Sequence, residues 1–225
     1  MYPIVKRLLD ILISLLGLAI FSPLYLAIAA WIKLDSPGPI LYRGTRVGKG
    51  GRPFKMLKFR SMVVNAEQLG GPSTAGDDPR VTRVGRFLRR YKLDELPQLI
   101  NVLKGDMSLV GPRPEVPQYV AMYNAEQRAI LSVRPGITDW ASLWNSDEGS
   151  WLAGAHDPER VYLEVIRPTK LRLQLKYVRE RSFMVDLRIL LATLITLVSR
   201  RPLPADELPP FPGKEDGIDQ TTHSG

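Results

Sequence analysis

The longest apolar stretch of the chain lies near its N-terminus. Ile11 to Ile32 runs without a charged side chain, and a stretch of this length matches the hydrocarbon core of a bilayer, which is about 30 Å thick. Ser22-Pro23 interrupts the stretch near its middle. Proline removes a backbone donor and its ring clashes with the carbonyl group four residues earlier, so a bend is predicted at this pair. Each arm then has about 12 residues and reaches about half of the hydrocarbon thickness.

Basic residues flank this stretch on both sides. Lys6 and Arg7 precede it, and a larger group follows it: Lys33, Arg43, Arg46, Lys49, Arg52, Lys55, Lys58 and Arg60. Positive flanks favour the cytoplasmic side of a membrane. The pattern therefore predicts a helix hairpin that enters and leaves on the same side, with the Ser22 hydroxyl bonding a freed carbonyl group. A single span and a cleaved signal peptide remain alternatives, although Asp10 fits a signal peptide poorly.

The pattern beyond the hairpin predicts an α+β domain that is mainly helical and compact. Short strands are predicted at Ile40 to Tyr42 and at Pro53 to Phe59, joined by a turn at Gly48 to Gly51. The Gly-Lys-Gly sequence in this turn lacks the spacing and the Ser or Thr of a phosphate-binding loop. A short β-hairpin is therefore favoured over a nucleotide-binding loop.

Helices are predicted over most of the remainder. One runs from Val84 to Tyr91, and a second begins at Asp94 and ends near Leu103, before Lys104-Gly105. Pro97 would fall in the first turn of the second helix, where the N–H group has no intrahelical partner. Two further helix starts are predicted, at the capping pair Asn124 and Gln127 and at Asp157-Pro158.

A stripe of apolar residues follows helical spacing close to the C-terminus. Its members are Leu187, Leu190, Leu191, Leu194, Ile195 and Val198, and the opposite face carries Asp186, Thr193, Thr196 and Arg200. Two interpretations remain: burial against the domain core, or an interfacial amphipathic helix with Arg200 and Arg201 at the lipid headgroups, which we favour. The chain thus divides into a membrane hairpin at residues 1–36, a cytoplasmic-facing domain at 37–201 and a tail at 202–225 whose composition predicts disorder.

Composition excludes several classes of site. The chain has no cysteine and two histidines, His156 and His223. Disulfides, thiolate metal sites, cysteine nucleophiles and histidine-rich metal sites are therefore excluded. The net charge of +8 favours an anionic partner, which could be nucleic acid, an anionic lipid surface or a phosphorylated small molecule.

Charge is concentrated just before an acidic pair. Arg80, Arg83, Arg86, Arg89, Arg90 and Lys92 precede Asp94-Glu95. With Asp94 at a helix N-terminus, the helix dipole and the cations would keep its carboxylate ionised and would attract a phosphate group. Attack of a carboxylate on phosphorus divides one difficult transfer into two steps through an acyl phosphate. The alternative, a solvated arginine face with Asp94 as an ordinary N-cap, does not explain why Arg113 stands in a rigid Gly-Pro-Arg-Pro turn.

A diphosphate substrate would require a divalent cation. Proteins hold Mg²⁺ through one or two carboxylates together with substrate oxygens. Glu95, next to Asp94, is the nearest candidate ligand, and Asp106 is a weaker second candidate. The sequence therefore predicts an Mg²⁺ site at the acidic pair.

Several short segments carry a recognisable pattern: Asp10, Phe21-Ser22-Pro23, Lys58 to Met62, Leu93 to Leu99, Asn101 to Pro114 and Arg134 to Thr138. Together they resemble the monotopic polyprenyl-phosphate phosphoglycosyl transferases, the bacterial sugar transferase family. The resemblance covers residues 1–200, and the block from Leu93 to Pro114 is its most specific part.

This resemblance implies a covalent transfer reaction at a membrane. Asp94 would be the nucleophile, Glu95 would complete a catalytic dyad with Mg²⁺, and Ser22-Pro23 would break a re-entrant helix. The donor would be a UDP-sugar, the first product UMP and the acceptor undecaprenyl phosphate, at the cytoplasmic face of the bacterial inner membrane. Five basic residues fall at positions that we assign to phosphate and nucleotide contact: Arg46, Lys58, Arg60, Arg89 and Arg113. Nucleic acid is not expected as a partner.

One segment departs from the family pattern. After Arg134 to Thr138, many members continue with a Gly-Trp-Ala-Gln-Val-Asn-Gly-Arg-like run. Residues 139–149 of this chain lack that arginine and carry acids that the run does not have, Asp147 and Glu148 among them. The departure leaves the identity of the sugar open.

Two other functions were weighed against the transferase. A non-enzymatic module that binds anionic lipid or nucleic acid through its arginines leaves Asp94-Glu95 without a purpose, and the aromatic residues that single-strand binding requires are not interleaved with the arginines. An aspartyl-phosphate phosphatase would share the covalent step, but its Asp-x-Asp signature after a strand is absent. The transferase is therefore favoured.

Overall fold

The computed structural model describes residues 2–71 and 73–199, so Arg200, Arg201 and the predicted tail at 202–225 lie outside the described residues. The helices are α1 (Tyr2–Ile20), α2 (Ser22–Asp35), α3 (Arg83–Arg90), α4 (Gln98–Lys104), α5 (Pro117–Ala121), α6 (Trp140–Trp144), α7 (Glu148–Leu152), α8 (Pro158–Val161), α9 (Arg167–Glu180) and α10 (Phe183–Ser199). The strands are β1 (Leu41–Val47), β2 (Pro53–Phe59), β3 (Ser108–Val110) and β4 (Gly136–Thr138). This mainly helical α+β arrangement confirms the predicted class.

The two N-terminal helices meet at a bend. The axes of α1 and α2 differ by 62° across Phe21, and Pro23 lies in the first turn of α2. The Ser22 hydroxyl donates to the Ala19 carbonyl at 2.8 Å, as predicted. The predicted length of the first arm was wrong, because α1 already begins at Tyr2. In the part of the chain that the structure describes, no single helix has the length and apolar character to cross a bilayer, whereas this bent pair has both.

The inward side of α1 is polar. Asp10 and Ser14 are buried, and Asp10 Oδ1 accepts a hydrogen bond from the Leu109 backbone N–H at 3.0 Å. Arg7 donates to the Val102 and Leu103 carbonyls, at 2.6 and 2.9 Å, and so caps the C-terminal end of α4. The apolar side chains point outward: Ile4, Leu8, Leu12, Leu15, Leu16 and Ile20 are all exposed. The helix is thus oriented opposite to a surface helix of a soluble domain.

Helix α10 has the same inverted orientation. Asp186 and Ile189 are buried, and the Thr193 hydroxyl shares a hydrogen bond with the Thr138 hydroxyl at 2.8 Å. Five members of the predicted stripe are 38–86% exposed: Leu187, Leu191, Leu194, Ile195 and Val198. Burial of this stripe against the core, one of the two interpretations from sequence, is therefore wrong for these five side chains.

The predicted β-hairpin is present. β1 and β2 pair antiparallel, with Tyr42 opposite Lys58 and Arg46 opposite Phe54, so these four side chains share one face. Asn101 of α4 fastens the hairpin, because its amide oxygen accepts from Leu57 N–H at 2.9 Å and its amide nitrogen donates to the Lys55 carbonyl at 2.8 Å.

A second strand pair was not predicted. β3 and β4 run parallel and are only three residues each, too short for a hydrophobic period to show. Gly111 and Gly136 allow the two segments to touch, since a Cβ atom on Gly136 would lie 2.1 Å from the Gly111 nitrogen. This contact brings the Gly-Pro-Arg-Pro segment beside the segment that follows Thr138.

Both predicted capping pairs are present. Asn124 and Gln127 bond each other's backbone N–H groups at 3.0 and 2.9 Å, although they precede a 3₁₀ turn, Gln127–Ser132, rather than an α-helix. Asp157 caps α8 by accepting from Arg160 N–H at 3.0 Å. A core of aromatic and aliphatic side chains supports these helices, and its members include Met107, Trp140, Trp144, Leu152, Tyr162, Ile166 and Leu173.

Candidate active site

The acidic pair lies in a tight turn rather than at the start of an α-helix. Leu93–Glu95 forms a 3₁₀ turn, and α4 begins only at Gln98, with Pro97 as its N-cap. The predicted helix start at Asp94 was therefore wrong. Lys92 explains the difference, because its left-handed backbone, with φ of 56°, breaks the chain direction after α3. The turn directs the two carboxylates into the interior, where Asp94 is 5% exposed.

Glu95 is held between two cations. Lys58 Nζ lies 2.9 Å from Glu95 Oε1, and Arg113 NH1 lies 3.0 Å from Oε2, while Arg113 NH2 also bonds Oε1. This is the bidentate geometry in which a guanidinium binds a carboxylate most strongly. The structure thus brings together three residues that the sequence assigned to the site.

Arg113 is fixed from several sides. NH1 also donates to the Ile137 carbonyl at 3.3 Å, and the Arg113 backbone N–H donates to Asp139 Oδ2 at 3.3 Å. The β3–β4 pair supplies these contacts, because it places Ile137 and Asp139 beside the Gly-Pro-Arg-Pro segment. The guanidinium is therefore preorganised.

Asp94 is the unsatisfied member of the pair. Within residues 2–71 and 73–199, no hydrogen-bond donor reaches its side chain, and the nearest cation, Lys58 Nζ, lies 4.0 Å from Oδ2. Buried carboxylates normally accept several hydrogen bonds. A carboxylate that is buried, near cations and free of donors keeps its lone pairs available for a substrate.

The two carboxyl groups have opposite pKa shifts. Burial raises the pKa of Asp94, against the attraction of Lys58, and the charge of Glu95 raises it further. Burial would also raise the pKa of Glu95, but Arg113 and Lys58 hold it well below its usual range. The sequence argument weighed the cations and a helix dipole, which favour the ionised form of Asp94; the structure adds desolvation, which outweighs the cations in the direction of the pKa shift. Burial likewise lowers the pKa of Lys58, despite Glu95.

The other basic residues assigned to the site from sequence, Arg89, Arg46 and Arg60, lie in different parts of the fold. Arg89 lies on α3, and its charge lowers the pKa of Asp94. Arg46 shares the hairpin face of Lys58, and its NH1 donates to the Thr45 carbonyl at 2.8 Å. Arg60 is 5% exposed and bonds the C-terminal end of α2, at the Ser36 and Pro37 carbonyls, at 2.7 and 2.6 Å. Arg60 therefore contacts the end of the bent helix pair rather than Glu95.

Two of the remaining charged candidates serve the fold. Arg80 holds the loop before it, through Asp78 and the carbonyls of Ala66 and Gly71. Asp106, the weaker metal candidate, accepts from the Asn101 amide at 3.2 Å.

Sequence reasoning missed three residues beside Arg113. Asp139 is fully buried and accepts a hydrogen bond from the Arg113 backbone N–H. The negative charge of Glu148 raises the pKa of the Arg113 guanidinium. Lys170 of α9 pairs with Glu148 at 2.9 Å. The extra acids in the divergent segment were visible in the sequence, but their proximity to Arg113 depends on the β3–β4 pair.

Comparison with known proteins gives a consistent result. A family model described as bacterial sugar transferase matches residues 1–200. The UDP-glucose:undecaprenyl-phosphate glucose-1-phosphate transferase of Caulobacter vibrioides is 43% identical over 201 residues, which cover 86% of this chain and 70% of that protein. An Aeromonas hydrophila protein named UDP-N-acetylgalactosamine-undecaprenyl-phosphate N-acetylgalactosaminephosphotransferase is 41% identical over 201 residues, 88% of this chain and 44% of its own length.

A third relative is matched over only part of its length. The UDP-glucose:undecaprenyl-phosphate glucose-1-phosphate transferase of Escherichia coli is 39% identical over 198 residues, 85% of this chain and 39% of that protein. The chain thus spans less than half the length of the Aeromonas and Escherichia relatives. The family match nevertheless covers the bent helix pair, the acidic turn and Arg113, and on this ground the chain belongs to the bacterial sugar transferase family.

Proposed function

We propose that this chain transfers a sugar 1-phosphate from a UDP-sugar to polyprenyl phosphate, undecaprenyl phosphate in particular, and releases UMP. This would be the first membrane step of a bacterial glycoconjugate pathway. The observation that carries the proposal is the buried Asp94 carboxylate, which has no hydrogen-bond donor among the described residues and lies 4.0 Å from Lys58 Nζ. The relatives' names, which specify UDP-sugars and undecaprenyl phosphate, support the substrate classes.

The first step is attack of an Asp94 oxygen on the β-phosphorus of the donor. The bond between the β-phosphorus and the bridging oxygen breaks, and UMP departs with the electron pair. The sugar phosphate stays on Asp94 as an acyl phosphate. Lys58, Arg89 and Arg113 supply the positive charge that lets an anionic nucleophile approach an anionic phosphate.

The second step regenerates the enzyme. A phosphate oxygen of the polyprenyl phosphate attacks the same phosphorus, and the bond from phosphorus to the Asp94 oxygen breaks. The product is a polyprenyl diphosphate sugar, and Asp94 returns as a carboxylate. The same cations serve both steps, because each passes through similar charge on phosphorus.

The acidic turn also fits Mg²⁺. Within the described ranges no group of three or more acidic, histidine or cysteine side chains could hold a metal ion, but Mg²⁺ with a diphosphate needs only one or two protein carboxylates. Asp94 and Glu95 are the residues that would hold it. When bound, the ion neutralises diphosphate charge. Arg113 and Lys58 already bind the Glu95 oxygens, so Asp94 is the more open of the two carboxylates for the ion.

The exposed apolar side chains of α1, α2 and α10 support a membrane position, and the basic residues on both flanks of the hairpin favour the cytoplasmic face of the inner membrane. Isolated apolar side chains are normal on a soluble surface, but continuous apolar faces on three helices are not. We place α1 and α2 in the bilayer as a re-entrant hairpin and α10 in the interface.

Single-cysteine labelling tests this topology, because the chain contains no other cysteine. Pro3→Cys and Pro39→Cys mark exposed positions near the two ends of the hairpin, one in the first turn of α1 and one after α2. Both should react with a membrane-impermeant maleimide only after the inner membrane is permeabilised. Labelling of one position in intact spheroplasts would show a simple span.

The activity itself is tested by measuring UMP. Purified protein in detergent, with Mg²⁺, undecaprenyl phosphate and a panel of UDP-sugars, should release UMP with at least one donor. Without acceptor, intact-protein mass spectrometry should detect a sugar-phosphate adduct on Asp94. Turnover with sequential kinetics and no adduct would favour direct transfer over the covalent mechanism.

A further inference from the structure

A polar wall stands beside Arg113, outside the acidic turn. It consists of Asn145, after α6, Glu148 at the start of α7, and Lys170 and Gln174 on α9. Lys170 and Gln174 lie one helical turn apart and therefore share a face. Gln174 donates from Nε2 to the Arg113 carbonyl at 3.2 Å, which joins this wall to the Gly-Pro-Arg-Pro segment.

Glu148 is the centre of the wall. Its Oε2 accepts from Lys170 Nζ at 2.9 Å and from Asn145 Nδ2 at 2.7 Å. Burial would raise the pKa of Glu148, but Lys170 lowers it, and Arg113 and Lys92 act in the same direction. Glu148 is thus an ionised acceptor whose charge reaches Arg113, and its side chain remains 33% exposed. This exposure leaves the Glu148 carboxylate accessible from solvent.

The wall contains acceptors without donors. Asn145 is 7% exposed and Gln174 is 1% exposed, yet within the described residues Asn145 Oδ1 and Gln174 Oε1 have no hydrogen-bond partner. An unsatisfied buried acceptor costs about 1–3 kcal/mol. Neither oxygen is needed to hold the fold, because the amide nitrogens already make the structural contacts. Both oxygens are closed to solvent in this structure, so a bound molecule that brings donors reaches them only when the Asn145 or Gln174 side chain turns outward.

We propose that Glu148 and Asn145 select the donor sugar by accepting hydrogen bonds from its hydroxyl groups, with Lys170 holding Glu148 in position. This inference rests on the proposed function, since it assigns the sugar end of the same UDP-sugar. Glu148 Oε1, on the more exposed side chain, is the first acceptor, and Asn145 Oδ1 is the second.

The chemistry of the wall distinguishes the sugar from the uracil. A pyranose presents adjacent hydroxyl groups, each of which can donate. The hydrogen-bonding edge of uracil presents one N–H between two carbonyl oxygens, and those oxygens would face a carboxylate and an amide oxygen. An acceptor-rich wall therefore matches the sugar better. Sites that hydrogen-bond a substrate hydroxyl discriminate strongly against analogues that lack it or misplace it.

The test compares donors in the full chain. Wild type, Glu148→Gln and Asn145→Leu are assayed for kcat/KM with UDP-glucose, UDP-galactose and their two N-acetylhexosamine counterparts, and UMP binding is measured by calorimetry. Asn145→Leu removes the unpaired acceptor but keeps the pair of Glu148 and Lys170, so it remains informative if Glu148→Gln folds poorly. Glu164→Gln is the matched control, because Glu164 lies in an exposed ion pair with Arg160.

Each outcome bears on a different claim. Both test variants should change the ratio of kcat/KM between donors by about tenfold or more, while UMP affinity and the control variant stay at the wild-type value. A uniform loss with unchanged donor ratios would overturn the assignment and make Glu148 a positioning residue for Arg113. Weakened UMP binding would overturn it in favour of the nucleoside. Absence of UMP release by wild type with every donor would instead refute the proposed function.

Discussion

Two buried aspartates with similar burial have opposite surroundings. Asp186 is 7% exposed and accepts hydrogen bonds from Tyr2, Lys6 and Tyr177 at 2.8, 2.7 and 2.8 Å. Asp94 is 5% exposed and, among the described residues, accepts none. Burial alone therefore does not reveal the role of a carboxylate in this protein. The number of donors around it does.

The difference follows from what each region must do. Asp186 joins the start of α1 to α9 and α10, and a fully satisfied carboxylate stabilises that junction. Asp94 lies where donors would occupy the lone pairs that a reaction needs. The desolvation cost at Asp94 is offset by the surrounding structure, as is common at functional sites.

Asp94→Asn should abolish activity and leave stability almost unchanged. An amide is a very poor nucleophile, so UMP release should fall by about four orders of magnitude or more. The free energy of unfolding should change by no more than about 1 kcal/mol, because no donor loses its partner. Parallel urea unfolding and UMP assays measure both quantities. Wild-type turnover in a folded Asp94→Asn protein would remove Asp94 from the mechanism.

Arg113→Lys tests whether the shape of the cation matters in addition to its charge. Lysine cannot form the bidentate contact with Glu95 or with a phosphate, so kcat should fall by about 100-fold while the protein remains folded. The same exchange at exposed Arg160 is the matched control. Equal activity of the Arg113→Lys and Arg160→Lys proteins would contradict a role for Arg113 in the reaction.

Asp186→Asn should have the opposite effect and lower stability while leaving activity almost unchanged. The substitution leaves Lys6 without its anion in a poorly exposed contact, and the free energy of unfolding should fall by about 3 kcal/mol. Turnover per folded molecule should stay close to wild type, because Asp186 does not contact the acidic turn. A large loss of kcat at temperatures where the variant is folded would show that the two regions are coupled.

The pH profile gives the smallest expected effect. The carboxylate form of Asp94 is the nucleophile, and its pKa is raised, so activity at fixed Mg²⁺ should rise with pH through a midpoint above the ordinary value of 3.8. Lys58 is the strongest attraction opposing that rise, so Lys58→Met should move the midpoint to still higher pH. Lys49→Met, in the exposed hairpin turn, should leave it unchanged. A shift to lower pH in Lys58→Met would contradict the electrostatic assignment.

The sequence predicted the elements that depend on local pattern. The bend at Ser22-Pro23, the β-hairpin and the Asp157 cap follow from proline geometry, alternation and capping chemistry over a few residues. The strands β3 and β4 could not be predicted, because their pairing joins residues far apart in the chain through contact of Gly111 with Gly136. The sign of the Asp94 pKa shift was missed because desolvation depends on the complete fold.

The residues of the candidate site divide in the same way, into those that the sequence identified and those whose contacts depend on the complete fold. The acidic pair, Lys58 and Arg113 were found from residue type and family resemblance, and the structure places Lys58, Glu95 and Arg113 in contact. Arg60 was assigned to phosphate contact together with the family resemblance, yet its guanidinium binds the carbonyl groups at the end of α2. Which of several nearby cations faces a carboxylate depends on tertiary packing.

The polar side of α1 has a consequence for the order of events during synthesis. Arg7 and Asp10 emerge from the ribosome early, but their partners lie 95 and 99 residues later in the chain, and the partner of Lys6 lies 180 residues later. Until Leu109 has been made, 99 residues later, this helix carries an unpaired aspartate beside its apolar face. In a nascent chain, the last carbonyl groups of α4, the helix after the acidic turn, gain their Arg7 cap only when the first segment made has returned to them. Maturation of the site is thereby tied to the placement of the N-terminal hairpin, and a chain released before that placement lacks the cap.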